Sequence, residues 1–255
     1  MQQVTPKKAL GQHFLCDDHI ARRIVDSLQA DNPNVLEIGP GMGVLTQFLL
    51  QRDIPDFQVV EIDRESVEYL QQHYPQLSGR ILAADFLQLD LAQMYTDKVS
   101  IIGNFPYNIS SQILFKILDN KDLVTETVGM FQKEVAERVA SAPGPKAYGI
   151  LSVLLQAFFD IEYLFTVGEN SFNPPPKVKS AVIRLMRNPE KKLRSDEKRF
   201  KQVVKTAFNQ RRKTLRNSLK IFTFDADFIA NPIFSKRPEQ LSVAEFDEIC
   251  LHISE

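Results

Sequence analysis

Short apolar runs alternate with amphipathic stretches through the first two-thirds of the chain. Mainly apolar runs of this length are typical of the buried strands of a parallel sheet. They lie at residues 34–39, 57–62, 80–84, 99–103 and 124–131. The stretches between them have the apolar spacing of helices, at residues 44–51, 64–73 and 110–118. This alternation predicts a parallel sheet with helices on both faces.

Further elements extend the pattern in both directions. Before the first strand, Ile20, Ile24, Val25 and Leu28 mark an amphipathic helix. After residue 133 we predict a helix to about residue 140, and the strongly apolar residues 148–159 predict another. Two more runs, 161–167 and 180–186, predict a pair of strands separated by a loop with three consecutive prolines.

The pattern changes near residue 188. From Asp196 onward it is helical, and apolar residues recur on one face of the helix. They are Phe200, Val203, Val204, Ala207 and Phe208. We therefore predict an α/β domain over residues 1–188, followed by a small all-α domain over residues 189–255.

Charge is distributed unevenly, although the net charge is only −1. Residues 177–220 contain 16 lysines and arginines against three acids, whereas the remainder contains 15 basic and 29 acidic residues. A basic block on an acidic body is typical of a surface that binds a polyanion such as nucleic acid. A solvated linker and charged helix face explain the same composition, which does not choose between the two.

The composition gives no support to several other classes of protein. The two cysteines and four histidines are scattered, so no metal site is predicted. No apolar run is long enough to cross a membrane, and residues 1–8 lack the apolar core of a secretory signal. Cys16 and Cys250 lie at opposite ends of the chain and fit a reducing compartment, so we expect a cytoplasmic protein.

A glycine-rich turn follows the first predicted sheet strand, where residues 37–43 read EIGPGMG. Gly39 and Gly41 let the backbone turn tightly and approach a ligand that a side chain would exclude. Glu61 ends the next strand, where a carboxylate can accept hydrogen bonds from both hydroxyls of a ribose. NAD and S-adenosylmethionine both carry that ribose, so these residues fit either cofactor. A plain tight turn between a strand and a helix also explains the glycines.

Asp85 ends the third strand, on the same carboxyl edge of the predicted sheet. A carboxylate there can accept a hydrogen bond from the amine of an adenine ring, and it can equally cap a helix. Three polar groups at the ends of three successive strands favour a ligand site, because open α/β sheets bind ligands at this edge.

The fourth strand leads directly into Asn104, Phe105, Pro106 and Tyr107, the most specific motif in the chain. An exocyclic adenine amine is a poor nucleophile because its lone pair is delocalised into the ring. The Asn104 side-chain oxygen and the backbone carbonyl beside Pro106 can orient that amine and stabilise its developing positive charge. Tyr107 offers an aromatic face on which the base stacks. The motif predicts methylation of an adenine amine, and a simple Asn-x-Pro turn is the alternative.

These motifs, with several others, resemble the KsgA family of small-subunit ribosomal RNA adenine N6,N6-dimethyltransferases. The resemblance covers nearly the whole chain, and its blocks occur in the same order. They are residues 8–15 (KALGQHFL), 37–43 (EIGPGMG), 60–63 (VEID), 85–87 (DFL), 103–110 (GNFPYNIS), 132–138 (QKEVAER), 172–180 (FNPPPKVKS) and 208–217 (FNQRRKTLRN). The chain departs from the family's commonest form at Phe105, where leucine is more usual.

The resemblance implies a Rossmann-like class I methyltransferase domain and a role for each matching residue. S-adenosylmethionine is the implied methyl donor, and no metal is implied. The implied cofactor-binding residues are His13, Leu15, Gly39, Gly41, Glu61, Asp85 and Asn104. The implied catalytic residues are Asn104, Pro106, Tyr107 and Phe172, with Phe172 as the aromatic wall opposite Tyr107. Taken by its residue type alone, Phe172 is equally a core phenylalanine.

The resemblance also implies the substrate and the partner. The substrate is two adjacent adenosines in the terminal hairpin of small-subunit rRNA, each dimethylated within an immature 30S subunit by a monomeric enzyme. Loop adenines are unstacked at low cost and are readily clamped by aromatic rings. The residues expected to contact RNA phosphates are Lys177, Lys179, Arg211, Arg212, Lys213 and Arg216.

Two other functions were weighed against this one. An antibiotic-resistance methylase that acts on large-subunit rRNA shares the N-terminal motifs, but residues 144–151 and 208–217 look more like the small-subunit family. A non-catalytic RNA-binding assembly or transcription factor on the same scaffold needs no pocket that orients an amine. The intact residues 104–107 and Glu61 therefore argue against it.

Overall fold

The structure is a computed structural model that describes residues 4–254; residues 1–3 and 255, the two ends of the predicted domains, lie outside the described part. The strands are β1 (Phe14–Leu15), β2 (Asn34–Ile38), β3 (Asp56–Glu61), β4 (Ile81–Ala83), β5 (Val99–Asn104), β6 (Val124–Gln132), β7 (Phe159–Val167), β8 (Phe172–Asn173) and β9 (Ser180–Arg187).

The α-helices connect and follow these strands. They are α1 (Asp18–Asp26), α2 (Thr46–Leu49), α3 (Arg64–His73), α4 (Leu91–Met94), α5 (Ser110–Asp119), α6 (Lys133–Ala140), α7 (Ile150–Gln156), α8 (Glu197–Asn209), α9 (Leu215–Ser218) and α10 (Val243–Leu251). Within residues 4–254, none of these helices is both long enough and apolar enough to span a bilayer.

The main sheet has seven strands in the order β4-β3-β2-β5-β6-β9-β7. The pairs from β4 to β6 are parallel, and β9 runs antiparallel to β6. The predicted α/β class is therefore confirmed, as is the predicted adjacency of the two strands that flank the proline loop. Parallel pairing brings the carboxyl ends of β2, β3, β4 and β5 to one edge of the sheet, which is where the predicted site residues lie.

The centre of the sheet is buried on both faces, as its apolar runs predict. Every residue of β2 is buried, and Leu36 is fully inaccessible. On α1, Ile24 and Val25 are buried in the same core, and the Asp17 carboxylate caps the start of the helix by accepting the backbone N–H groups of His19 and Ile20. Each fully buried aliphatic side chain stabilises the fold by about 1.5–3 kcal/mol.

The chain forms two compact units. One comprises the chain up to Ala136 together with Ile161–Arg187, and the other comprises Glu137–Asp160 together with the chain from Asn188. Residues 137–160, which the sequence prediction places in the first domain, thus pack with the C-terminal helices. The reason is α7, whose consecutive buried residues 151–155 need apolar neighbours on every side. The functions assigned to the two predicted domains stay predictions.

The second unit is built on helix packing. The helix α8 contacts α7, α9 and α10. Its predicted apolar face is buried at Phe200, Val203, Val204 and Ala207. Phe208 is half-buried, and its ring centroid lies 6.3 Å from that of Tyr148 and 6.0 Å from that of Phe246. Leu215 and Leu219, on the next short helix and at its end, are also buried.

Several elements differ in length from their predictions. The helix predicted at residues 44–51 is confined to α2, because residues 41–45 form a turn in which Gly43 has a φ of 83°. The helix predicted at residues 148–159 ends at Gln156, and β7 begins two residues before the predicted strand. The two-stranded sheet of β1 and β8 was not predicted, since two residues show no periodicity.

Candidate active site

An open cleft lies at the carboxyl ends of the central strands. Its empty space is about 940 Å³ including the open mouth, a size that suits a nucleoside cofactor. Eight sequence-predicted residues line it: His13, Gly39, Gly41, Glu61, Asp85, Asn104, Pro106 and Tyr107. The other lining residues include Leu10, Gly11, Gln12, Phe14, Ile38, Val60, Ile62, Ala84, Phe86, Leu87, Phe105, Asn108 and Ile109. The structure thus gathers residues from five separate segments into one site.

The glycine turn forms one wall of the cleft with a backbone that other residues rarely adopt. Gly39, Gly41 and Gly43 all have positive φ, at 65°, 57° and 83°. A Cβ at Gly41 would come within 2.8 Å of the Phe14 ring, and one at Gly43 would meet the Tyr74 side chain at 2.5 Å. A Cβ at Gly39 would meet no protein atom within 4 Å. Gly39 is therefore the position where a ligand can approach the bare backbone.

Glu61 is held rigidly beside this turn. Its two carboxylate oxygens accept the backbone N–H groups of Gly41, at 3.1 Å, and of Asp63, at 2.8 Å. Burial raises the pKa of Glu61 above its ordinary value, and the backbone hydrogen bonds oppose that shift. Each carboxylate oxygen can accept more than one hydrogen bond, so the pair can still receive two ribose hydroxyls. This geometry fits an adenosine-containing cofactor.

Of the two roles that its position suggested, the structure shows Asp85 as a cap, and its contact with an adenine amine stays a prediction. Its Oδ1 caps the 3₁₀ turn Phe86–Gln88 by accepting the Leu87 N–H at 2.9 Å, and the residue also lines the cleft. Ile62, a residue that is 56% exposed, lines the same cleft. An apolar surface beside a carboxylate suits a flat ring that carries an amine, which is the chemistry of adenine.

Lys116 supports the turn that follows Asp85. From α5, its Nζ donates to the backbone carbonyls of Leu87, at 2.9 Å, and of Leu89, and it lies 5.4 Å from the centroid of the Phe86 ring. Desolvation lowers the pKa of this lysine, and Asp85 and Asp90 oppose the shift. The Lys116 side chain therefore connects α5, which follows residues 104–107, to the turn after Asp85.

We expect Lys116→Met to weaken cofactor binding while leaving catalysis at saturating cofactor nearly intact. Losing two charge-assisted hydrogen bonds loosens the Asp85 turn, so the Kd for S-adenosylhomocysteine should rise about tenfold. Calorimetry and the separation of KM from kcat measure the two effects. Lys98→Met is the matched control, because Lys98 also donates to a backbone carbonyl, that of Asp122, but at the opposite edge of the sheet. Equal cofactor affinity in both variants would remove Lys116 from this role.

Glu37 is a buried acid beneath the glycine turn that the sequence did not single out as functional. Its Oε2 accepts the Thr46 hydroxyl at 2.6 Å, and the residue is 1% exposed. Burial raises the pKa of Glu37 to about 8, the Thr46 hydrogen bond opposes the shift, and the nearby Glu61 adds to it. Below that pH the Glu37 carboxyl is protonated in the folded protein.

The raised Glu37 pKa predicts a falling free energy of unfolding between pH 4.5 and about 8. In that window the folded protein keeps a proton that the unfolded chain has released, so each rise in pH favours unfolding, and the effect levels off above the folded pKa. Glu37→Gln keeps the oxygen that accepts from Thr46 and removes the titration. Denaturant melts across this range should show a flatter pH dependence for the variant, whereas parallel curves would contradict the assignment.

The Asn104 amide has a defined orientation at the end of β5. Its Nδ2 donates to the His13 backbone carbonyl at 2.9 Å, which leaves Oδ1 as the acceptor available to a ligand in the cleft. The Pro106 carbonyl already accepts from the Ser110 hydroxyl at 3.2 Å. The Phe105 carbonyl is therefore the better candidate for the second acceptor beside the proline. Two such oxygens can receive the two hydrogens of an amine.

Phe105 fits its position because two glycines make room for it. Its ring is 1% exposed and meets the Phe131 ring edge-on at a centroid distance of 5.0 Å. A Cβ at Gly129 would come within 2.3 Å of the Phe105 ring, and one at Gly103 within 2.7 Å. The ring of this larger residue, which stands in place of the family's usual leucine, thus packs in the core, and the residue also lines the cleft.

Tyr107 and His13 form the polar-aromatic end of the cleft. The Tyr107 hydroxyl is hydrogen bonded to the Ser180 hydroxyl, and its ring lies 5.4 Å from the His13 ring at an angle of 27°. The His13 Nδ1 is 2.8 Å from the Pro174 carbonyl, so Nδ1 carries the proton in this contact. These contacts join the N-terminal segment, the catalytic motif and the proline loop.

Leu15 and Phe172 are not among the residues that line the cleft. They are register partners in the β1–β8 pair and are 3% and 4% exposed, within the hydrophobic core. Leu15 borders a smaller neighbouring pocket together with Gly39 and Asn104. The role of Phe172 as a wall for the target base stays a prediction, and it requires that ring to become more accessible.

The sequence reasoning missed the residues that fasten the N-terminal segment to the site. Asp63, 2% exposed, accepts hydrogen bonds from the Lys7 ammonium and from Gln12 Nε2 at 3.1 Å. Burial raises the pKa of the Asp63 carboxyl, but the hydrogen bonds from Lys7 and Gln12 lower it, and the net pKa is below the ordinary value. The available signal was the helix-capping position of Asp63, immediately before α3. Asp63, which these hydrogen bonds reach, lies two residues after Glu61 in the chain.

The predicted RNA-binding residues fall into two groups. Lys177, Lys179, Arg212 and Lys213 are exposed. Arg211 is half-buried and lies 3.8 Å from the Glu239 carboxylate, and Arg216 is exposed but donates to the Ile229 carbonyl at 3.1 Å, so both also make contacts within the second unit. The first group is the better candidate for phosphate contacts. Among the described residues, no group of His, Cys, Asp or Glu side chains is placed to hold a metal ion.

Comparison with known sequences gives a consistent result along the chain. Residues 4–235 match the family model described as ribosomal RNA adenine dimethylase. A relative from Parabacteroides distasonis, named ribosomal RNA small subunit methyltransferase A, is 62% identical over 253 residues, which cover 98% of this chain and 95% of the relative.

Two solved structures share the fold. A dimethyladenosine transferase from Plasmodium falciparum superposes with a TM-score of 0.77 at 23% identity, covering 94% of this chain and 96% of that one. The 23S rRNA methyltransferase ErmE superposes with a TM-score of 0.71 at 25% identity, covering 94% and 100%. Because ErmE, named for 23S rRNA, shares the fold of a chain whose relative from Parabacteroides distasonis is named for the small subunit, the fold alone does not select the rRNA substrate.

Proposed function

This chain belongs to the ribosomal RNA adenine dimethylase family, and from that premise we propose that it dimethylates two adjacent adenosines in the 3′-terminal hairpin of small-subunit (16S) rRNA. It is an S-adenosylmethionine-dependent rRNA adenine dimethyltransferase. The observation that carries the chemistry is the fixed Asn104 amide, whose oxygen is left for a ligand in a cleft that suits an adenosine cofactor.

Each proposed cofactor-binding residue would contact a different chemical group of the cofactor. When bound, S-adenosylmethionine supplies an electrophilic methyl group. Glu61 would hold the ribose hydroxyls, Gly39 would admit the cofactor to the bare backbone, and Asp85 would accept a hydrogen bond from the adenine amine. His13 and Leu15 would contact the cofactor from the N-terminal segment, and Gly41 keeps the turn in place.

The target amine is activated by being held in a fixed orientation, and no strong base removes its proton. Asn104 Oδ1 and the carbonyl beside Pro106 accept its hydrogens, which aims the nitrogen lone pair and stabilises the positive charge that forms on it. Tyr107 provides the stacking face, fixed by its hydrogen bond to Ser180. The methylated ammonium is acidic enough to release its proton to water, so no general base is required.

The small-subunit substrate is favoured over the large-subunit alternative. The relative at 62% identity is named for the small subunit, whereas ErmE, at 25%, is named for 23S rRNA. The exposed Lys177, Lys179, Arg212 and Lys213 supply the charge that an rRNA substrate needs. We further propose that the enzyme acts as a monomer on immature 30S subunits in the cytoplasm and contributes to small-subunit biogenesis.

The experiment that tests this function compares the two ribosomal subunits as substrates. Purified protein is incubated with radiolabelled S-adenosylmethionine and with unmethylated small or large subunits from a strain that lacks the methylase. We expect label in the small-subunit RNA. Label confined to large-subunit RNA would establish the resistance-type alternative, and label in neither RNA at any salt concentration would favour a non-catalytic binder.

A further inference from the structure

Two large apolar side chains are exposed in the described part of the first unit. One is Ile62, which lines the cofactor cleft. The other is Val178, which is 44% exposed and does not line that cleft. It lies in the loop between β8 and β9, within the proline-containing segment. A partner that covers Val178 must therefore be something other than the cofactor.

The loop that carries Val178 is held at both ends by residues of the active site. At its start, the Pro174 carbonyl receives the His13 Nδ1, and at its end, Ser180 is hydrogen bonded to the Tyr107 hydroxyl. Between these points, Pro174, Pro175 and Pro176 each fix φ, so the loop loses little entropy when it meets a partner. Val178 thus lies two residues before Ser180, which is hydrogen bonded to Tyr107, the proposed stacking residue.

The neighbours of Val178 indicate the chemistry of that partner. Lys177 and Lys179 flank it and are both exposed. An apolar side chain between two cations is complementary to a nucleotide, whose base offers an apolar face and whose phosphates are anionic. A nucleotide accounts for both features of this loop at once, the flanking cations and the exposed apolar side chain, which the exposed Pro174 and Pro175 precede in the same loop.

We propose that residues 177–179 bind the nucleotide next to the adenosine being methylated, with Val178 covering its base and the two lysines contacting its phosphates. This rests on the proposed function. Because that substrate contains two adjacent adenosines, the neighbouring nucleotide is the other target. The rim formed by residues 177–179 therefore holds one adenosine unstacked while its neighbour occupies the pocket, which offsets part of the cost of extruding a base.

A double-mutant cycle between Val178 and the neighbouring base tests this contact. Val178→Ser and the unsubstituted enzyme are each assayed on unmethylated small subunits in which the neighbouring base is adenine or uracil, a smaller ring. We expect the unsubstituted enzyme to lose about fivefold in kcat/KM on the uracil subunit, the scale of a half-covered aliphatic side chain. Val178→Ser should lose a similar factor on the adenine subunit and almost nothing further on the uracil one.

Matched controls separate this role from general effects. Ile229→Ser alters an equally exposed aliphatic residue, at 43%, in the second unit, and should keep the full sensitivity to the neighbouring base. Lys179→Met should lower the salt dependence on both subunits alike. Binding of S-adenosylhomocysteine should be unchanged in all three variants.

Two results overturn the idea in different ways. If Val178→Ser keeps full activity and the same sensitivity to the neighbouring base, the contact does not exist, although the proposed function stands. If the unsubstituted enzyme fails to methylate small subunits, the proposed function itself fails, and the rim assignment fails with it.

Discussion

Asn104→Ala is expected to lower kcat by at least about 10²–10³-fold, the scale of removing one preorganised group that stabilises developing charge. The substitution removes the oxygen that aims the amine, and no neighbouring side chain of the motif replaces it. Single-turnover methylation of unmethylated small subunits measures the loss. Cofactor binding should remain within about fivefold, because β1 still pairs with β8 and Asp63 still holds the N-terminal segment.

Asn104→Asp separates the two functions of this amide. It keeps an oxygen for the target amine but loses the N–H that binds the His13 carbonyl at 2.9 Å. A carboxylate then faces a carbonyl, so the N-terminal segment is weakened while the amine acceptor remains. We expect activity between those of the unsubstituted enzyme and the alanine variant. Undiminished turnover by Asn104→Ala would remove this residue from catalysis.

Reversing the charges of Arg212 and Lys213 together is expected to weaken RNA binding about 100-fold at low salt and to flatten its salt dependence. Both side chains are exposed, so their loss costs little stability. Removing two phosphate contacts should reduce the slope of log K against log salt by about 1.4–1.8. Filter binding of small subunits over a salt series measures both quantities.

The control for this experiment is an exposed arginine outside the basic block. Arg64 has a side chain that is 91% exposed and pairs with Glu68 on α3. Arg64→Glu should leave RNA affinity within about threefold of the unsubstituted protein. If reversing the charges of Arg212 and Lys213 changes RNA affinity no more than this control does, these two residues belong to a solvated face that does not bind RNA. Arg211 is a poorer choice for the test, because losing its ion pair with Glu239 also perturbs the second unit.

The succession of strands and helices along the chain and the site edge could be predicted from sequence because they depend on short-range patterns, whereas the order of the strands within the sheet was not predicted. The helix over Arg64–His73 matches its prediction at both ends, since Asp63 caps its start and its apolar spacing is regular. The strand ends at Glu61 and Asn104 were also close to prediction, because polar residues interrupt apolar runs there. Parallel topology then places these residues together without any knowledge of side-chain contacts.

Long-range packing set the features that sequence could not supply. The burial of Phe172 against the core depends on the short β1–β8 pair, which joins segments more than 150 residues apart and has no periodic signal. The hydrogen bonds from Lys7 and Gln12 to Asp63 likewise join segments that are distant in the chain. The membership of α7 in the second unit follows from helix packing, which an apolar run alone does not assign to either neighbour.

The same distinction applies to the basic block. Its charge was evident from composition, but composition does not tell a phosphate ligand from a structural arginine. Arg212, Lys213 and Arg216 are all exposed, and the structure separates them by contact, because the Arg216 guanidinium donates to the Ile229 carbonyl. It also places Lys177 and Lys179 on the loop that holds Tyr107 through Ser180. Charge near the site and charge on the second unit are therefore distinct candidates for binding RNA.

The most direct test of the central claim is mass spectrometry of rRNA fragments before and after incubation with the protein and S-adenosylmethionine. Unmethylated small subunits are the substrate, and nuclease fragments of their RNA identify the modified nucleotides. We expect two methyl groups on each of two adjacent adenosines in the 3′-terminal hairpin. Methyl groups at other positions, or small-subunit RNA that remains unmodified while the protein binds cofactor, would contradict it.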